Sequence, residues 1–374
     1  MKKNILIAGA FVTIFGLVVA WFLYLDSSVI RRPQTPEKPY PYYSEDVRFK
    51  NDSAHIELAG TLTLPSKEGK YPVVVLISGS GPQNRDEEIL GHKPFLILAD
   101  HLAKKGIGVL RYDKRGIGQS TGNYQTATSL DFSYDAESAV RYLQSRKDID
   151  SAKIGLMGSS EGGLIAPMIA ARTNTIHFMV LLAGPAMPLM EALLLQGELV
   201  ARAYGVPETE IKTLRALNRE AFTIVAQSKD LKTLKEDITH FSEKNISKIP
   251  LDLLPKKMTR EQYMKAQIEM LSSPWFQFGL QYDPAPALRR VKCPVLALIG
   301  SKDLQVPPKE NLNAVAEHLK EGGNPNVTIK ELPNLNHLFQ ECETGSPKEY
   351  EKIEQTFSPI ALNEISGWIL ERVK

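Results

Sequence analysis

One pentapeptide in this chain is spaced for nucleophilic chemistry: Gly158-Ser159-Ser160-Glu161-Gly162. It follows the apolar run 154–157 and precedes a small, apolar, helix-like stretch beginning at Gly163. The pattern reads as strand, sharp turn and helix, with Ser160 at the tip. The glycines have a steric cause, because in so tight a turn bulky side chains two residues either side of the serine would clash. Ser159 is the rival nucleophile, but Met157 stands two residues before it, where glycine is required. A serine hydroxyl is a weak nucleophile until a base and an orienting acid stand beside it.

Both partners can be sought by position. When a serine sits on such a turn, the acid and then the histidine follow it in the chain, on loops after later strands. The strand-like run 294–299 leads into Gly300-Ser301-Lys302-Asp303, which puts Asp303 at the carboxyl end of a strand. Beyond it lie His318, inside the helical pattern 311–319, and His337, just after the last strand-like run. His337 is therefore the expected general base, taking the proton from Ser160 and returning it to the leaving group. Asp303 holds the imidazole tautomer and stabilises its charged form. A developing oxyanion needs two backbone N–H donors. Glu161, at the amino end of the helix after the nucleophile, supplies one, and Ser80 in Gly79-Ser80-Gly81 supplies the other, with Gly81 as the neighbouring alternative.

The surrounding elements must bring these groups together. Segments 46–50 and 55–64, joined by the turn-prone Asn51-Asp52-Ser53, read as an antiparallel hairpin. The continuous apolar runs 72–78 and 107–112 read as strands buried on both faces. Helical spacing appears over about 94–105, closed by Gly106, and from Leu130 onward, with Thr128 as N-cap. Further strands fall at 178–182, 294–299 and 327–332, and a final helix at about 359–373. Alternating strands and helices imply an α/β fold, an open and mostly parallel sheet with right-handed crossovers. The alternation breaks over 187–290, a stretch rich in helix formers and charge, which reads as a helical lid inserted near the carboxyl ends of the strands. Its Trp275-Phe276-Gln277-Phe278 could line an acyl pocket or simply pack the lid against the core. The implied organisation is 1–30 membrane or export segment, 31–44 Pro-rich linker, 45–186 first part of the core, 187–290 lid, and 291–374 second part of the core.

Composition narrows the function. In 374 residues, 45 basic and 43 acidic side chains are interspersed and leave a formal charge of +2, so no basic stripe invites nucleic acid. Cys293 and Cys342 form no metal-ligand spacing and read as packing residues. Gly116-Ile117-Gly118 is out of register for a dinucleotide site. Asp86, Glu87 and Glu88 read as a solvated charge run, and Asp113 and Arg115 as ion-pairing residues that pin loops. Lys2 and Lys3 precede the uncharged apolar run 5–25, long enough as a helix to cross a hydrocarbon core of roughly 30 Å. It reads as an uncleaved anchor, or alternatively a signal peptide, directing an exported body to the cell envelope. The proline-rich 33–41 reads as an extended spacer.

These motifs resemble bacterial α/β-hydrolase esterases related to the serine aminopeptidase-like and dienelactone-hydrolase-like families. The similarity is carried by the stretch from Arg111 through Asp113-Lys114-Arg115-Gly116 to Gly122, the turn from Gly158 to Gly163, the stretch from Tyr282-Asp283-Pro284 to Pro307, and the stretch from Asn334 to His337. The resemblance implies an α/β-hydrolase fold and a Ser160, Asp303, His337 triad that cleaves carboxylic esters of small molecules without a cofactor. Such families often carry histidine where this chain has Ser78 and Ser159. On the same triad, peptide or thioester hydrolysis are the alternatives. A catalytically silent binding protein is the alternative of another class, and the intact triad argues against it.

Overall fold

Every strand expected from the apolar runs forms, and all of them join one sheet. The computed structural model describes residues 32–249 and 258–374. Strands β1 (Tyr43–Asn51) and β2 (Ile56–Leu64) are the expected hairpin, in register from Tyr43 opposite Leu64 to Asn51 opposite Ile56. Strand β3 (Tyr71–Ile77) is followed by helix α1 (Pro94–Ala103) and strand β4 (Gly108–Tyr112). Helix α2 (Ser129–Gln144) starts at Thr128, whose hydroxyl accepts the Asp131 N–H while the Asp131 carboxylate accepts the Thr128 N–H. A reciprocal cap of this kind contributes about 1 kcal/mol. Strand β5 (Ile149–Ser159), helix α3 (Glu161–Ala170) and strand β6 (Phe178–Leu182) complete the first part of the core.

The sheet has eight strands in the order β1-β2-β4-β3-β5-β6-β7-β8, antiparallel at β1-β2 and β2-β4 and parallel elsewhere. Its central strands read as unbroken β-branched runs because both faces are covered: Val73, Val74 and Val75 are fully buried. Each such side chain contributes about 1.5–3 kcal/mol. The polar stretch from Asp150 to Lys153 belongs to β5 although no apolar pattern marks it, since Ile149 pairs with Tyr71 before the register shifts.

Residues 188–282 form a second unit, helical where described: α4 (Leu189–Ala203), α5 (Glu208–Gln227), α6 (Leu231–Asn245), α7 (Arg260–Leu271) and α8 (Pro274–Gln281). Its core follows from helical spacing, as Leu214, Leu217, Ala221 and Val225 on α5 lie three or four residues apart and, with Phe222, are all buried. Phe276 is fully buried against Phe222, with ring centroids 5.5 Å apart. Phe276 thus serves packing inside this unit. The chain returns to the core through α9 (Ala285–Arg290), β7 (Val295–Gly300), α10 (Pro308–Glu321), β8 (Val327–Leu332) and α11 (Pro359–Val373).

The apolar run 5–25 lies outside the described residues, and among the described residues no helix is long and apolar enough to cross a membrane. The spacer expected over 33–41 is tied down near its start. Gln34 accepts the N–H groups of Thr356 and Phe357 at 2.6 and 2.9 Å and donates to the Phe357 carbonyl, while Arg32 donates to the carbonyls of Leu90 and Ile353.

Candidate active site

Ser160 stands between the last residue of β5 and the first of α3, with φ 48° and ψ −114°. A side-chain-bearing residue at such angles carries strain of about 1–3 kcal/mol. The turn is fastened on both sides: the Ser160 N–H donates to the Leu182 carbonyl at 2.8 Å, and the Gly163 N–H donates to the Ser160 carbonyl at 2.8 Å. The flanking glycines are where atoms would otherwise collide. A Cβ on Gly158 would lie 2.0 Å from the Gly162 carbonyl oxygen, and one on Gly162 would lie 1.9 Å from the Ile77 carbonyl oxygen of β3.

Asp303 follows β7 and His337 follows β8, neighbouring parallel strands. His337 Nδ1 lies 2.8 Å from Asp303 Oδ2, and the Asp303 side chain is fully withdrawn from solvent. Asp303 Oδ1 accepts the N–H groups of Gln305 and Val306 at 2.8 and 2.9 Å, so both carboxylate oxygens are occupied. A carboxylate can only accept, so Nδ1 carries the proton and Nε2 is left with its lone pair. Burial pulls the His337 pKa down, but the charge and hydrogen bond of Asp303, with the charge of Glu87, more than offset it and raise the pKa above the ordinary value. His318, on α10, lies 3.5 Å from exposed Glu321, away from these loops.

The two residues expected as oxyanion donors follow the neighbouring parallel strands β3 and β5. Glu161 opens α3, and its buried carboxylate accepts Lys114 Nζ at 3.0 Å and the Ser129 hydroxyl at 2.6 Å. Ser80 follows β3, and Gly81 after it has φ 95°. Asp113 accepts the Arg85 backbone N–H and guanidinium and the Gln119 N–H, which joins the loop after β3 to the loop after β4. Burial works against the Asp113 charge, but these bonds hold its pKa below the usual carboxylate range. Arg115 pairs with buried Asp135 of α2 at 2.7 Å. Both Cys293 and Cys342 are free thiols, and the described residues hold no cluster suited to a metal ion.

The charge run after β3 is not uniformly solvated, and Glu87 is the exception. Glu88 is exposed beside Lys93, and Asp86 pairs with Arg111, but Glu87 is buried and accepts the Gly79 N–H at 2.6 Å. A Cβ placed on Gly79 would lie 3.2 Å from Glu87 Oε1 and 3.3 Å from Ser160 Cβ, which puts this carboxyl at the nucleophile turn. Burial pushes the Glu87 pKa up to about 7, opposed by hydrogen bonds from Gly79 and Ser159 and by the charges of Lys114 and His337. Glu87 and His337 therefore each favour the charged form of the other. Ionised Glu87 stabilises the imidazolium, so Glu87→Gln is expected to move the acid limb of kcat/KM to lower pH. A pH profile of both proteins checks this, and an acid limb that stays in place or moves upward contradicts it. No pattern in Asn84-Arg85-Asp86-Glu87-Glu88 distinguishes Glu87 from its neighbours.

The model of the serine aminopeptidase S33 family, Hydrolase_4, matches residues 94–343, more than half of the 374 residues. The chain belongs to that family. A curated relative, esterase EstD of Thermotoga maritima, is 29% identical over 340 residues, covering 90% of this chain and 71% of that protein. Among solved structures, the Pyrococcus furiosus esterase Pf2001 superposes with a TM-score of 0.54 at 18% identity, covering 92% of this chain and 97% of that one. Est1E of Butyrivibrio proteoclasticus, solved with ferulic acid bound, gives 0.50 at 17% identity, covering 87% of this chain and 99% of that one. At such identities the structural matches carry the fold, which is the α/β-hydrolase fold.

Proposed function

We propose that this S33 family member hydrolyses carboxylic esters of small molecules through an acyl-enzyme formed on Ser160. The observation that carries the reading is the hydrogen bond from His337 Nδ1 to fully buried Asp303, on the two loops that follow β7 and β8, in a sheet whose β5 ends at the Ser160 turn. In this reading His337 Nε2 takes the Ser160 hydroxyl proton as Oγ bonds to the carbonyl carbon. The tetrahedral oxyanion is held by the N–H groups of Ser80 and Glu161, the latter at the amino end of α3, where the helix dipole favours negative charge. Collapse breaks the bond to the alcohol oxygen, which leaves with the proton from His337. Water then repeats the sequence on the acyl-enzyme, releases the acid and restores Ser160. Every group in this cycle is supplied by the chain, so no cofactor enters it.

The bond cleaved separates this reading from its rival. The family description favours a peptide bond next to a free amine, whereas the relative aligned with 90% of this chain carries the name esterase. Ester cleavage releases an alcohol and needs no recognition of a charged amine, so no carboxylate beyond Glu161, Glu87 and Asp303 is called for. Purified protein is expected to turn over short-chain aryl esters and to leave aminoacyl anilides intact. Turnover of the anilides alone would replace the esterase with an aminopeptidase. We further place the protein at the cell envelope through the run 5–25, a reading supported by its length and flanking lysines. Full-length protein found in the soluble fraction of cells would overturn that placement.

A further inference from the structure

Lys114 is a buried cation at the carboxyl end of β4, and every direction open to its ammonium is taken. Its Nζ donates to the Gly79 carbonyl at 2.6 Å and to Glu161 Oε2 at 3.0 Å, and it sits 4.5 Å from the centroid of the Phe132 ring. With its side chain only 4% exposed, it has no surface to offer a charged partner. Its effect must be local, and the local object is the Gly79–Ser80 peptide.

That peptide is planar and trans, so the Gly79 carbonyl and the Ser80 N–H point in opposite directions. Holding the carbonyl on Lys114 fixes where the Ser80 N–H aims. The preceding peptide is fixed as well, since the Gly79 N–H donates to Glu87 at 2.6 Å. Gly79, the residue type with the most backbone freedom, therefore has both flanking peptide planes anchored, one by the Glu87 carboxyl and one by the Lys114 ammonium. The same ammonium also holds the carboxylate of Glu161, whose own N–H is the second donor proposed above.

We propose that Lys114 is a positioning residue, orienting the Ser80 N–H toward the developing oxyanion through its bond to the Gly79 carbonyl and tying that donor to the Glu161 end of α3. The assignment rests on the reading of Ser160 as nucleophile with Ser80 and Glu161 as donors. In the same motif Asp113 and Arg115 stand out as ion-pairing residues, and residue type alone gives the lysine between them no separate role.

The test is the double variant Lys114→Met/Glu161→Gln, which removes the buried pair together and keeps the Glu161 backbone N–H. Its kcat on an aryl acetate is expected to fall at least ~10-fold, toward the ~10²–10³ of a lost oxyanion donor. KM should stay within about 3-fold, and affinity for an aryl trifluoromethyl ketone, which forms a tetrahedral adduct, should fall by the factor seen in kcat. Lys114→Arg is the second variant: it keeps a charge for Glu161 but moves the donor relative to Gly79, and its losses should again appear in kcat and ketone affinity together. A folded variant of either kind with kcat and ketone affinity within about 3-fold of the parent overturns the assignment. Fluorophosphonate labelling of the parent separates this from failure of the underlying reading. An adduct on Ser160 with unaffected variants removes only the role of Lys114, whereas absence of that adduct removes the nucleophile and the role together.

Discussion

Ser160→Ala is expected to lower kcat for ester hydrolysis by about 10⁶-fold while leaving the melting temperature within a few degrees of the parent. The rate loss follows because no other hydroxyl stands at the turn in its place. Ser159 is one residue back, at the end of β5, and its side chain is engaged with Glu87. Stability changes little because the strain at φ 48° belongs to the backbone, and alanine and serine both carry a Cβ there. The turn is held by main-chain bonds from Ser160 to Leu182 and from Gly163 to Ser160, which the substitution leaves in place. Parallel kinetics and thermal unfolding check both halves. Activity within tenfold of the parent would remove Ser160 from the chemistry, and a collapse in melting temperature would show that its hydroxyl is structural.

Asp303→Asn is expected to cost about 10⁴ in kcat with little change in KM. The reason lies in which atom of the new amide can face the histidine. Oδ1 of Asp303 accepts two backbone N–H groups, from Gln305 and Val306, and only an oxygen can stay there. The asparagine oxygen is therefore held in that position and its NH₂ is turned toward His337 Nδ1. An amide that donates to Nδ1 forces the ring proton onto Nε2, the nitrogen that must accept from Ser160. The variant should also lose the raised pKa that the Asp303 charge gives His337. A stopped assay at neutral pH measures the loss, and a variant within tenfold of the parent would show that Asp303 does not set the tautomer.

Strands and helices were legible where burial imposes a period. The continuous runs of β3 and β4 and the spaced apolar positions of α2 are one-dimensional records of which faces are covered. The order of strands was not legible, because β4 lies between β2 and β3 by a crossover that no local pattern encodes. The polar start of β5 carries no legible pattern for the same kind of reason: its partner Tyr71 lies far away in the chain.

For the site, the sequence offered residue types at positions, and the structure adds which of them touch. The pairing of Asp303 with His337 follows two strand ends that happen to be neighbours in the sheet. Glu87 and Lys114 were beyond reach because each is defined by a main-chain group of Gly79, and the direction of a peptide bond leaves no trace in residue type. A glutamate in a run of acids and a lysine beside an arginine look like surface residues until the peptide they hold is seen.

The most direct measurement on the central claim is labelling of the purified protein with a fluorophosphonate, followed by mass spectrometry of the digest. One adduct on Ser160, absent from the Ser160→Ala variant, is expected if Oγ is the nucleophile activated by His337. An adduct on Ser159 or any other serine, or an unlabelled protein that still turns over aryl esters, would contradict it.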